Sequence, residues 1–157
     1  MISVSILLWG VLLIAALSAL SWIDIRSLRL PDIITLPLLA CGLLYAGTET
    51  GLIRESLIGA VAGYLFFFAV EKVFLHLRGK EGLGRGDAKL LAAGGAWCGW
   101  MGLPLIVLIA SGSGLLVAIV YSLAARRQVE MIPFGPFIAA GIAAVWCWQT
   151  WARFAVS

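Results

Sequence analysis

The sequence predicts an all-α membrane protein, a polytopic bundle of about six transmembrane helices with both termini on the outer side of the membrane. Three observations carry this. Of the 157 residues, 62% are hydrophobic and only 12% charged, and the mean hydropathy is +1.06. A soluble fold of this length has too little interior for so much apolar surface, so the bilayer is the solvent for much of the chain. The apolar residues come in long charge-free runs, and the cations gather in alternate connections between those runs. A net charge of +3 therefore reads as a topology signal, with membrane lipid around the chain and no nucleic acid as partner.

Each element follows from the same reading. Residues 1–23 hold no charged side chain, and about 20 residues suffice to cross the hydrocarbon core. No basic region precedes this run, as a cleaved signal peptide requires, so it is expected to be a first membrane helix. Trp22 suits an interfacial belt and Asp24 ends the run. Residues 24–32, with Arg26 and Arg29, form a polar connection, and Pro31 suits the start of the next helix. A second span is expected over residues 33–46, bent at Pro37, and residues 47–55 make a polar turn.

The third span starts near Ser56, passes the aromatic residues 64–68 and reaches Glu71 and Lys72, with His76, Arg78 and Lys80 beyond. Residues 90–125 carry no charge and are too many for one straight crossing, so Gly102 and Pro104 are expected to divide them into two spans joined by a hairpin. Arg126 and Arg127 end the fifth span. The turn EMIPFGP, residues 130–136, leads into a last span over residues 134–152. Without internal repeat, low-complexity tract or soluble segment, residues 1–157 read as a single transmembrane domain.

With the N-terminus outside, the inner connections collect Arg26, Arg29, Lys72, Arg78, Lys80, Arg85, Lys89, Arg126 and Arg127, against Arg54 and Arg153 outside. Nine cations against two set the orientation, and this places Asp24 and Asp87 at the same, cytoplasmic, face.

Residues 80–100 hold the most distinctive local chemistry. A glycine-rich polar segment places Asp87 beside Arg85 and Lys89 and then turns abruptly apolar. An ionisable group at the lip of an apolar helix is a candidate functional group. Gly84 and Gly86 let the backbone turn sharply and a substrate approach closely. Asp24 ends an inward-running helix and Asp87 begins an outward-running one, so a bundle can bring the two carboxyl groups together. Such a pair shares one proton. The neutral acid polarises a peptide carbonyl while the carboxylate activates water, chemistry that needs no metal or other cofactor.

Other schemes fit less well. Ser111 and Ser113 lack the register of a nucleophile elbow and are expected to serve packing. Cys41, Cys98 and Cys147 lie far apart in apolar runs, with neither zinc nor disulfide spacing. The alternating glycines follow no strand of a βαβ unit, which sets a dinucleotide loop aside. The competing function is a small ion- or proton-conducting transporter subunit in which the two acids line a path.

The segment GLGRGDAKLLAAGGAW resembles the Gly-x-Gly-Asp-x-Lys signature of bacterial type IV prepilin leader peptidases, which are membrane aspartyl proteases. Asp24-Ile25-Arg26 with Leu30-Pro31-Asp32 is similar to the family's first catalytic segment, and residues 130–136 to its glutamate-x-x-Pro-Phe-Gly-Pro motif. The three matches fall in order along nearly the whole chain. The resemblance implies that Asp24 and Asp87 are catalytic, that Gly84 and Gly86 shape the loop, and that Lys89 is a supporting cation. Asp32 is the rival to Asp24 for the catalytic role and otherwise a turn or helix-capping acid, with Glu81 and Glu130 structural or substrate-orienting. The resemblance further implies a bacterial inner-membrane enzyme that cuts the basic leader from prepilins of type IV pili or pseudopilins of type II secretion. Full-length relatives often carry a cysteine-paired cytoplasmic domain after the first span, associated with N-methylation. Residues 24–32 leave no room for it there, so a peptidase-only form is expected.

Overall fold

The computed structural model describes residues 4–78, 85–125 and 133–156, and these are almost entirely helical. Helix α1 covers Val4–Ser27, α2 Asp32–Tyr45, α3 Ile53–Arg78, α4 Arg85–Ala125 and α5 Gly135–Val156. Four stretches are long and apolar enough to cross a membrane, namely Val4–Ser27, Asp32–Thr50, Ile53–Val73 and Arg85–Leu123. Together with the many leucines, valines and isoleucines exposed around the bundle, they make this an all-α membrane protein.

Helix α4 is not one rod. Gly99 has φ 70° and ψ 173°, a conformation that glycine adopts without a Cβ penalty. The chain folds back there, so that Gly94 on the first limb (residues 85–98) meets Ile106 on the second (residues 100–125). Gln149 donates from Nε2 to the Cys98 carbonyl at 3.0 Å, satisfying an acceptor at the end of the first limb. The reversal therefore falls at Gly99 and not at Gly102 and Pro104 as the sequence suggested. Pro104 lies one turn into the second limb, where its ring faces only the start of that limb. Gly102 packs against Cys98.

The polar turn after α2 is also tighter than expected. Residues Ala46–Thr50 continue as a π-helical turn, with the Thr48 and Thr50 hydroxyls donating back to the Leu44 and Ala46 carbonyls. Reversal waits for Gly51 at φ 68°. Helix α2 runs through Pro37 without a non-helical residue.

Contacts fix the directions of the rods. Asp24 meets Gly135 and Gly10 meets Trp146, so α1 and α5 are antiparallel. Lys89 meets Asp32 and Trp97 meets Leu38, so α2 runs parallel to the first limb of α4. Gly59 meets Gly95 and Gly63 meets Leu91, which sets α3 antiparallel to that limb. The second limb runs antiparallel to α5, with Ile106 on Gly141 and Gly114 on Phe137. One end of the bundle thus gathers the end of α1 and the starts of α2, α4 and α5.

Two devices hold this frame. Trp9, Tyr45, Trp97 and Trp146 form an aromatic cluster far from that end, with Tyr45 stacked on Trp97 at 5.3 Å between centroids. The buried Trp97 indole donates to the Leu38 carbonyl at 2.9 Å, which ties α2 to α4. The second device is the glycine crossing of α3 and α4. A Cβ on Gly95 would lie 2.1 Å from the Gly59 carbonyl oxygen, so these backbones touch without side chains between them. Gly95→Val is expected to force the helices apart and cost about 3 kcal/mol or more. Gly112→Val, at a position with open space around it, should shift stability by under about 0.5 kcal/mol. Thermal unfolding of the two variants in detergent checks this, and equal Tm values would refute the crossing.

Candidate active site

Asp24 lies within the last turn of α1, not in the polar connection after it, and is only 5% exposed. A buried carboxyl group needs a hydrogen-bond partner. It finds one across the bundle, where the Gly135 backbone N–H donates to Asp24 Oδ2 at 2.9 Å.

The local sequence of α5 explains why that donor is available. Phe134 supplies the carbonyl that accepts from Phe137 and Ile138 N–H, so Gly135 and Pro136 are the first helical residues. An N–H at this position has no partner inside its own helix, and Pro136 contributes none at all. Gly135 N–H therefore points out of the helix at the carboxylate. Only glycine fits there, because a Cβ would lie 2.7 Å from Asp24 Oδ2 and 3.0 Å from Cγ.

After Asp24 the chain turns abruptly. Leu28 takes φ 52° and donates its N–H to the Asp24 carbonyl at 2.8 Å, closing α1. This left-handed conformation costs a β-carbon-bearing residue about 1–2 kcal/mol. Packing at Leu30 holds the strained connection in place, since its Cβ sits where Gly86 leaves room. A Cβ on Gly86 would come within 2.8 Å of it. Gly86 belongs to the first turn of α4 and has no positive φ, so its contribution is close approach and not a sharp turn.

Asp87 follows directly in that first turn, half-buried, at the same end of the bundle as Asp24. Ala88 and Leu90 beside it are buried in the core, which fixes the register of α4. Gly84 lies outside the described residues, as do Glu81 and Glu130.

Lys89 does not stand beside Asp87 as a lone cation. Its Nζ lies 2.6 Å from both carboxylate oxygens of Asp32, in the first turn of α2. Asp32 thus pairs with Lys89 and makes no capping bond to its own helix, whose cap position is Pro31. Both side chains are partly exposed, so the pair itself contributes only about 0.2–1 kcal/mol. Its effect is positional, since it pins α2 to α4 two residues from Asp87. Arg26 lies over the Trp22 ring at 4.4 Å, on the surface beside Asp24.

Ser111 and Ser113 turn their hydroxyls onto carbonyls of their own helix, Val107 and Ile109, and neither reaches an acid or a base. Gly114 nearby packs closely against Phe134.

Among these residues, Gly135 and Leu30 were not singled out from sequence as site residues. The signal for Gly135 was its place before a proline at a predicted helix start. Nothing in the sequence names Asp24 as the group it meets.

Comparison with known proteins returns one family. A profile of the Type IV leader peptidase family matches residues 11–119. The prepilin leader peptidase/N-methyltransferase of Burkholderia pseudomallei (strain 1026b) is 53% identical over 135 residues, 84% of this chain and 43% of that protein. The protein of that name from Escherichia coli (strain K12) is 51% identical over 124 residues, 78% of this chain and 55% of the relative. That of Aeromonas hydrophila is 45% identical over 147 residues, 88% of this chain and 50% of the relative. The chain spans about half the length of these relatives. No solved structure matches it.

Proposed function

Because this chain belongs to the type IV leader peptidase family, we propose that it is a membrane aspartyl endopeptidase that removes the basic leader from prepilins or type II secretion pseudopilins. The observation that carries the reading is the seating of Asp24. A buried carboxyl group is anchored on the N-terminal amide of α5, at the bundle end where α4 presents Asp87.

In this reading Asp24 and Asp87 share one proton. Gly135 holds Asp24 Oδ2, which leaves Oδ1 to take a proton from the attacking water. The protonated partner donates to the scissile carbonyl oxygen as the tetrahedral intermediate forms, and that proton passes on to the departing amine. The strained turn at Leu28 and the packing of Leu30 on Gly86 hold the two helix ends in register. Lys89 helps to hold the start of α4 in place through Asp32.

The two limbs of α4 cross the membrane separately, which gives six crossings with N-out, C-out topology and sets both acids at the cytoplasmic face of the bacterial inner membrane. The prepilin is the partner there, with its leader in the cytoplasm. An ion path would need acids along the bundle, whereas Asp24 and Asp87 both lie at one end.

Co-expression with a prepilin tests the proposal. The prepilin is expected to lose its leader, seen as a smaller product with a new N-terminus. An uncut prepilin in membranes that contain the folded protein would refute it.

A further inference from the structure

The end of the bundle opposite the acids gathers the Ala46–Thr50 turn, the start of α3, the reversal at Gly99 and the last turns of α5. Where they meet they line a cavity of about 300 Å³, about the smallest cleft that holds a small ligand. Trp100 and Trp148 stand in its lining and are 48% and 62% exposed. Exposed indoles on membrane helices favour the headgroup level, so the cavity opens among lipid heads and not among acyl chains.

The polar groups in this lining are left without partners by the fold. Glu55 lies in the first turn of α3 and Arg153 in the last turn of α5, and both line the cavity. Each suits the partial charge of its own helix end. Yet neither forms an ion pair, with the other or with any other group, among the described residues. Arg153 reaches the Tyr45 hydroxyl at a long 3.5 Å.

Ser56 is the more telling group. It is 3% exposed and lines the same cavity, and its hydroxyl has no hydrogen bond among the described residues. Ser21, Thr35, Thr48 and Ser113 instead donate theirs back to a carbonyl of the preceding turn. A buried hydroxyl with no partner is an exception that calls for one. Gln149 beside it uses Nε2 on the Cys98 carbonyl, which leaves its side-chain oxygen as an acceptor.

We propose that this cavity takes the head of a phospholipid that carries a phosphate and a primary ammonium, from the leaflet away from Asp24 and Asp87. Three acceptors, the Glu55 carboxylate, the Ser56 hydroxyl and the Gln149 oxygen, match the three N–H donors of that ammonium. The indoles of Trp100 and Trp148 offer faces to the same cation, and Arg153 takes the phosphate. A phosphocholine head carries the same charges but has no N–H for these acceptors. A phosphoglycerol head has no cation at all. The inference goes beyond the peptidase reading and does not rest on it.

Native mass spectrometry of the whole protein in detergent tests it, by titration with phosphatidylethanolamine, phosphatidylcholine and phosphatidylglycerol of identical acyl chains. The first is expected to bind about tenfold tighter than either other lipid, as hydrogen bonds to charged groups allow. Glu55→Gln should bring it down to the phosphatidylcholine level. Ser56→Ala, which removes one oxygen, should weaken it about fivefold and leave phosphatidylcholine unchanged. Arg153→Gln should weaken all three about tenfold. Arg54→Gln, next to Glu55 but outside the cavity lining, should alter none of them.

Equal affinities for the three lipids overturn the assignment, as does unchanged binding in Glu55→Gln and Arg153→Gln. A loss of all three lipids alike in both Glu55→Gln and Ser56→Ala overturns it too, because the ammonium would then not be what these groups read. Soluble phosphoethanolamine that displaces the lipid at equal concentration would make a free small molecule the occupant and refute the lipid assignment. None of these outcomes depends on whether the protein cuts a prepilin.

Discussion

Asp24→Asn and Asp87→Asn are each expected to lower leader cleavage by roughly 10³-fold or more, while the protein still inserts and folds. General acid and base contributions are typically 10²–10⁴-fold, and the proposed mechanism uses one carboxyl group in each role, so neither can be spared. Asparagine keeps the volume and an acceptor oxygen for the Gly135 N–H, so the anchor that holds α1 to α5 survives. What is lost is the capacity to exchange a proton with water or with the peptide. Asp32→Asn serves as the contrast, because it weakens a partly exposed pair that positions α4 but removes no proton-exchanging group, and should cost cleavage far less than either. Product size after co-expression reads all three variants. Cleavage near the wild-type level in either of the first two would remove that residue from the mechanism.

Gly135→Ala should lower cleavage by about 10²-fold, though Gly135 performs no chemistry. The added methyl would lie 2.7 Å from Asp24 Oδ2, so the carboxyl group must move, and the backbone donor that orients it is lost to it. A displacement of about 1 Å at a reacting group costs on the order of 10²-fold in rate. The loss is expected in kcat, with KM little changed, because the displaced group is the one that exchanges a proton with water. A Gly135→Ala enzyme with normal kcat would mean that Asp24 does not depend on the α5 amide. A loss confined to KM would place Gly135 in binding instead.

Much of the fold was legible because hydropathy and charge act locally. The end of the apolar run at Asp24, the polar link through Pro31 and the abrupt change at Asp87 each mark a helix end within a turn or two. The site was legible only in part, for a physical reason. The bond from Gly135 to Asp24 spans 111 positions and that from Lys89 to Asp32 spans 57, and no local pattern encodes either distance. Sequence position alone set Lys89 beside Asp87 and gave no sign of its bond to Asp32. The break in α4 was misplaced for a related reason. Proline announces itself in a sequence, but Pro104 is tolerated near a helix start, and the reversal falls on Gly99, one of several glycines in that run. Gly86 was read as a turn residue with room for a substrate, whereas its φ is not positive and Leu30 occupies the space beside it.

The central claim is that Asp24 and Asp87 converge at one end of the bundle. It is tested most directly by joining them. In a background with Cys41, Cys98 and Cys147 replaced by alanine, Asp24→Cys and Asp87→Cys together should be bridged by a short bifunctional thiol reagent in native membranes. Both thiols should also be labelled from the cytoplasmic side. Two thiols that label from opposite faces, or that label from one face yet never bridge, would contradict it.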